Sequence, residues 1–196
     1  MKSGDWRYFK PFFLYPPIGL GLLIGAGAHA SMSSWIGGGL FLVGMASWTL
    51  LEYVIHRGLF HFPARSPRMR AFVYAAHWAH HENPTDIRHI FAGLSTSIPV
   101  SVMWFLLLWA LWRQWSSAAI VLTGSWAGYI CYEFIHYSIH FRTPRTRWMR
   151  YLKRYHLLHH YQDETTRFGV TTPLIDWLLS TYRPVSASAS LQAQSD

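Results

Sequence analysis

The chain has 196 residues, 51 % of them hydrophobic, and 17 Lys and Arg against 9 Asp and Glu give it a net charge of +8. That length suits one domain, and a lone cysteine, Cys131, excludes a disulfide framework and cysteine ligation of a metal. The positive balance invites a nucleic-acid partner, but the placement of the charges explains them without one.

Four stretches are predicted to cross a bilayer, which takes about 20 mostly apolar residues. They are 12–30, 35–55, 93–112 and 116–135. The first and third lack Asp, Glu, Lys and Arg, while the second holds Glu52 and the fourth Glu133, each near its C-terminal end. Gly21 and Gly25 form a GxxxG pair, and Gly37, Gly38 and Gly39 offer a second place for close helix approach. Four such spans in so short a chain leave too little polar surface to cover them as buried helices of a soluble protein. The start of the chain also has signal-peptide features, with Ala28-His29-Ala30 as an A-x-A-like site. Cleavage there would leave the sidedness of everything downstream unchanged.

Lys2, Arg7 and Lys10 precede the first span, Arg57, Arg65, Arg68, Arg70 and Arg88 follow the second, and eight basic residues from Arg142 to Arg183 follow the fourth. Only Arg113 of the 17 falls in a remaining connection. This asymmetry predicts a multi-pass protein with both termini and the two long basic segments in the cytoplasm, where anionic lipid headgroups can meet the charge. Residues 1–184 read as one membrane domain. Residues 185–196, rich in Ser, Ala and Gln, read as a disordered tail.

The two long segments form a weak internal repeat. The first carries His56 and His61, then His77, His80 and His81; the second carries His136 and His140, then His156, His159 and His160. In each, 15 residues separate the opening pair from the closing HxxHH, and a hydroxyl residue followed by proline lies between: Ser66-Pro67 and Thr143-Pro144. A capping Ser or Thr before Pro predicts a helix start at each.

Ten of the 12 histidines lie in these clusters, and only His29 and His89 fall outside. A pH-sensing cluster of this density would repel itself on protonation, whereas cations resolve the crowding. His136 and His140 share a helix face, as do the members of each HxxHH. His56 and His61 lie about 140° apart on a regular helix, so the helix is predicted to end near Gly58 and Pro63 and let His61 turn back. Ten imidazoles exceed the capacity of one ion, and two ions at five each match the five-plus-five arrangement with a position to spare on each. Glu52 and Glu133 sit about one turn before His56 and His136 and are candidates to orient those rings. Asp86 and Asp176 are candidates for that task or for helix capping, His89 for a loop or ligand, and His29 for neither.

HRGLFH (56–61), HWAHH (77–81), HYSIH (136–140) and YHLLHH (155–160) resemble the histidine boxes of the fatty acid hydroxylase / sterol desaturase superfamily. HHENPTD (80–86), GYICYEFIHYSIHF (128–141) and FGVTTPLIDW (168–177) make the chain most similar to the fatty acid 2-hydroxylase branch. The resemblance implies an all-α integral membrane protein, four transmembrane helices with a cytoplasmic histidine-rich helical cap holding a di-metal site. It implies that His56, His61, His77, His80, His81, His136, His140, His156, His159 and His160 are the ligands of two iron ions, and that zinc can occupy them in isolated protein. It further implies dioxygen as co-substrate, a lipid or fatty acyl substrate and hydroxylation of the acyl chain. No HPGG haem motif precedes the first span, so no bound haem is expected, and electrons come from a separate ferredoxin- or cytochrome b5-like donor with its reductase. A lipid or sterol desaturase or carotenoid hydroxylase uses the same boxes. From another class, a histidine-rich membrane protein that handles metal is the alternative, though a transporter places ionisable groups near mid-membrane.

Overall fold

The computed structural model describes residues 5–29 and 32–185, and among these the chain is helical with no strand. The C-terminal segment expected to be disordered lies, from residue 186 onward, outside the described residues. Among the described residues four helices are long and apolar enough to cross a membrane: α1 (Lys10–His29), α2 (Ser34–Ile55), α5 (Leu94–Trp112) and α6 (Trp115–Phe141). Pro16 and Pro17 lie inside α1 and Pro99 inside α5, as membrane helices tolerate. α6 has 27 residues, about 40 Å at 1.5 Å per residue, more than the roughly 30 Å of a hydrocarbon core. Its C-terminal turns, which carry His136 and His140, therefore have length to spare beyond the apolar layer.

The chain divides into two compact units, one of residues up to Trp48 with Phe91–Cys131, the other of Thr49–Ile90 with Tyr132 onward. In the first unit α2 and α6 cross at glycine. A Cβ on Gly44 would stand 2.1 Å from the Val121 carbonyl oxygen, one on Gly124 2.1 Å from that of Phe41, and one on Gly128 2.4 Å from Trp48 Cβ. Close approach falls there and not at the glycines singled out by pattern: a Cβ on Gly21, Gly37, Gly38 or Gly39 would meet nothing within 4 Å, and one on Gly25 would meet only the Trp115 ring at 3.7 Å. A GxxxG spacing places two glycines on one face, but the packing of other helices decides whether that face meets anything. Leu108, Ala118, Val121 and Leu122 form the buried core beside this crossing. Hydroxyls also join the helices: Ser47 and Ser125 lie 3.0 Å apart, and the indoles of Trp104 and Trp126 donate to Ser125 and Ser101. Leu20, Ile24, Leu42, Val43, Val102, Met103 and Leu106 stay exposed, as a lipid-facing surface requires.

The second unit is built from the C-terminal ends of α2 and α6 and four short or amphipathic helices. The helix that begins as α2 ends between Gly58 and Pro63 as expected, but not as a regular helix. It widens into a π turn over His56–Phe60, in which the His61 N–H reaches the His56 carbonyl at 3.1 Å. An i→i+5 bond of this kind brings residues five apart onto one side, and such turns recur at functional sites. α3 (Pro67–Val73) starts where Ser66-Pro67 predicts, with the Ser66 hydroxyl accepting from Met69 N–H at 3.2 Å. It runs through a second π turn, Tyr74–Trp78, into α4 (Ala79–Glu82). The second half departs from the repeat: α7 (Arg147–Tyr161) is capped by Thr146 and not by Thr143-Pro144. Pro144 sits in the approach to the helix, and Thr146 supplies the hydroxyl that the first amides need. α8 (Leu174–Leu178) closes the unit.

A histidine-lined candidate metal centre

The ten box histidines all lie in the second unit. α2 and its π turn supply His56 and His61, the α3–α4 arm His77, His80 and His81, α6 His136 and His140, and α7 His156, His159 and His160. They group five and five, but not by half. His56, His61, His77, His81 and His159 form one set and His80, His136, His140, His156 and His160 the other; within each, one ring nitrogen per residue lies within 4.8 Å of all the rest. The middle histidine of each HxxHH thus crosses to the other half's set. At i, i+3, i+4 the flanking pair His77 and His81 points one way round the helix and His80 another, and α7 repeats the division with His159 against His156 and His160. The two sets touch where the His81 and His160 rings stack at 4.1 Å.

In the first set Nε2 atoms of His56 and His77 are 3.0 Å apart, those of His77 and His81 2.9 Å, and those of His61 and His159 3.1 Å. In the second, His136 and His156 stand 3.1 Å apart and His156 and His160 3.0 Å. Hydrogen bonding alone cannot satisfy such clusters, because one imidazole nitrogen offers either one proton or one lone pair. The His56 Nδ1–H donates to the Phe168 carbonyl at 2.6 Å and the His159 Nδ1–H to the Thr166 carbonyl at 2.7 Å, so both present a bare Nε2 to their set. In the second set both ring nitrogens of His80, Nε2 of His140 and Nδ1 of His156 and His160 are buried with no hydrogen-bond partner. Two nitrogens about 2.1 Å from a shared cation and at right angles to each other stand about 3.0 Å apart. The spacing and the neutral imidazole donors fit a divalent transition metal in each set.

Burial, then the charge of neighbouring histidines, pushes the imidazoles outside the apolar spans down: His61 to about 2, and His77, His80, His156, His159 and His160 well below their ordinary value. His81 falls to about 3 for the same first reason. All are neutral at physiological pH and carry the lone pair a metal requires. Phe60 stacks on His77 at 4.9 Å, and Phe168 lies 5.6 Å from His56 and 5.5 Å from His159, so apolar faces wall the first set.

Glu52 touches no histidine: it accepts from the Val170 N–H, the Thr171 N–H at 2.9 Å and the Thr171 hydroxyl at 2.6 Å. Asp176 accepts from the Phe168 and Gly169 N–H at 2.8 and 2.7 Å and from the Thr181 hydroxyl at 2.7 Å. Glu133 is fully buried three residues before His136. Asp86 pairs instead with Arg88 at 2.5 Å in an exposed loop, and His89 belongs to neither set. His29, in the first unit, hydrogen-bonds the Gly25 carbonyl at 2.9 Å. Sequence reasoning missed the Thr166 and Phe168 carbonyls, since a backbone acceptor leaves no trace in residue type; FGVTT marked the segment without its task.

The fatty acid hydroxylase family model matches residues 41–181, which span all ten histidines and the 166–176 segment. The chain belongs to the fatty acid hydroxylase family. Family relatives include the dihydroceramide fatty acyl 2-hydroxylase of Arabidopsis thaliana, 35 % identical over 74 % of this chain and 61 % of the relative. The fatty acid 2-hydroxylase of Rattus norvegicus is 34 % identical over 79 % of this chain and 42 % of its own length. The ceramide very long chain fatty acid hydroxylase of Saccharomyces cerevisiae is 35 % identical over 73 % and 38 %. The chain therefore spans 38–61 % of the length of these relatives. A solved structure of full-length scs7p, with only the hydroxylase domain visible, superposes with a TM-score of 0.83 at 30 % identity, covering 92 % of this chain and 68 % of that one.

Proposed function

We propose that this chain is a membrane-bound, O2-dependent oxidoreductase that hydroxylates a lipid acyl chain with two iron ions held on its ten box histidines. The observation that carries the reading is the gathering of those histidines into two sets of five with ring nitrogens about one coordination edge apart. Each set of five imidazoles would hold one ion with room left for a further ligand. Iron held by these histidines would supply the activation of dioxygen and the oxidising strength that an acyl C–H bond demands. The protein's part is to hold neutral ligands in place and to keep water away. Burial keeps the rings unprotonated, the Phe168 and Thr166 carbonyls fix the tautomers of His56 and His159, Phe60 stacks on His77, and the Phe168 ring packs against His56 and His159. Zinc suits the same donors in isolated protein.

Relatives named for fatty acyl and dihydroceramide substrates support a membrane-lipid acyl chain as substrate. Two electrons come from an external ferredoxin- or cytochrome b5-like donor. The basic flanks support an active site and both termini on the cytoplasmic side, with residues 1–184 as the catalytic membrane domain and 185–196 as a tail. Lipid mass spectrometry of cells with and without the gene tests the reading. Acyl chains that gain one oxygen support hydroxylation, chains that lose two hydrogens assign desaturation instead, and an unchanged lipid profile under iron- and oxygen-replete conditions overturns the enzyme.

A further inference from the structure

We infer that Asp176 and Glu52 are positioning residues for one metal set and not for the other: they hold a strap, residues 166–171, whose carbonyls orient His56 and His159. The inference rests on the two-ion reading above. His56 and His159 both belong to the first set, and both lose their Nδ1 proton direction to this one strap, at Phe168 and Thr166. Between those two residues Arg167 adopts a left-handed conformation, with φ of 61°, which lets a single segment present both carbonyls to histidines on different helices. A non-glycine residue persists there only when its surroundings hold it.

The Thr181 carbonyl takes the Arg167 N–H at 3.1 Å and Asp163 takes the Thr166 hydroxyl, and the rest of the strap is held by the two carboxylates. Asp176, fully buried, takes the Phe168 and Gly169 N–H groups, one on each oxygen. The strap lies so close that a Cβ on Gly169 would meet the Thr172 carbonyl oxygen at 2.1 Å and Asp176 Oδ2 at 2.9 Å. Glu52 takes the next two amides, Val170 and Thr171, on Oε1 and the Thr171 hydroxyl on Oε2. Further support reaches Asp176 from α2, where Arg57 donates to Tyr53, whose hydroxyl lies 3.0 Å from that of Thr181, a third donor to Asp176. Four consecutive amides, 168–171, are thus bound by acids. In the second set, by contrast, Nδ1 of His80, His156 and His160 is buried without a hydrogen-bond partner, and neither Asp176 nor Glu52 bonds the backbone beside it.

The hydrogen-bond inventory separates the two acids. Gln at 52 keeps an oxygen for both amides and turns its NH2 toward the Thr171 hydroxyl, which can accept, so the strap survives. Asn at 176 sets an NH2 against either the Phe168 or the Gly169 N–H, so one bond is lost whichever way it turns. The effect is read by Zn2+ titration of the full chain in detergent micelles, with bound metal counted by elemental analysis. Wild type should take two ions; fewer than two sinks the two-ion reading and not the strap alone. His140→Ala leaves the first set intact, and His61→Ala leaves the second. In the His140→Ala background Asp176→Asn should weaken Zn2+ by about 10–100-fold, the usual effect of losing an outer hydrogen bond to a ligand, and in the His61→Ala background it should leave affinity unchanged. Glu52→Ala should act as Asp176→Asn does, while Glu52→Gln keeps wild-type affinity; this pair carries the test if Asp176→Asn fails to accumulate. Equal weakening in both backgrounds, no weakening in either, or Glu52→Gln as damaging as Glu52→Ala would overturn the inference.

Discussion

At the scale of single residues, His80 and His159 are the two histidines on which the halves of the chain depend for each other. Each is the one member its arm lends to the opposite set, and each is fully buried. His80→Ala and His159→Ala are therefore expected to be comparably damaging, each taking metal content from two ions toward one. Turnover should fall by more than the roughly 10–100-fold typical of an outer-shell loss. His29→Ala, which removes a ring bonded to a carbonyl within its own helix, is expected to change neither. Metal analysis with single-turnover assays checks both; loss of activity in His29→Ala with retention in His80→Ala would refute the assignment. The depressed imidazoles also set a pH dependence. An unfolded histidine binds a proton below about 6.5, whereas folded His61 and His81 resist until about 2 and about 3. Below about pH 6.5 the unfolded chain binds more protons than the folded one, so the metal-free protein loses stability as pH falls from there toward 3. Its Tm should be flat above pH 7.5 and drop steadily between pH 6.5 and about 4.5. A Tm that rises on acidification would contradict the burial of these rings.

At the scale of elements, the glycine crossing and the π turns do the placing. Gly44 and Gly124 let the α2 and α6 backbones touch, and α6 is the inner helix, with 67 % of its apolar stretch buried against 17–22 % in the other three spans. Gly44→Ala or Gly124→Ala drives a methyl into a carbonyl on the facing helix and is expected to cost about 1–3 kcal/mol, the range for overpacking. Gly21→Ala, which meets open space, should be neutral. Denaturant titration of the three variants in mixed micelles measures the difference; equal effects at Gly21 and at the crossing glycines would refute the crossing. The π turn at His56–Phe60 solves a spacing problem. Five residues on a regular helix face apart, and one extra residue in the turn brings His61 alongside His56, with ring centroids 5.1 Å apart. HYSIH needs no such device, because four residues already share a face of α6.

At the scale of the whole molecule, the basic flanks predict that a reporter fused after Ser186 and one inserted near Ala64 both read cytoplasmic. A signal from the opposite side at either place would overturn the expected orientation. Much of the architecture is legible without coordinates because its causes are local. Runs of apolar residues make α1, α2, α5 and α6 span-length helices whatever they pack against, and Ser66 caps α3 by chemistry confined to one turn. The ten histidines likewise declare themselves by type and spacing. What they join was decided only in three dimensions. The direction in which His80 and His159 leave their helices, relative to their neighbours three and four residues away, sends them to opposite sets, and no repeat in sequence records that rotation. That helices cross at Gly44, Gly124 and Gly128, and not at the Gly21 and Gly25 pair of the same spacing, depends on which faces meet. The strap carbonyls of Thr166 and Phe168 belong to the backbone common to every residue, so only the folded chain distinguishes them from any other acceptor.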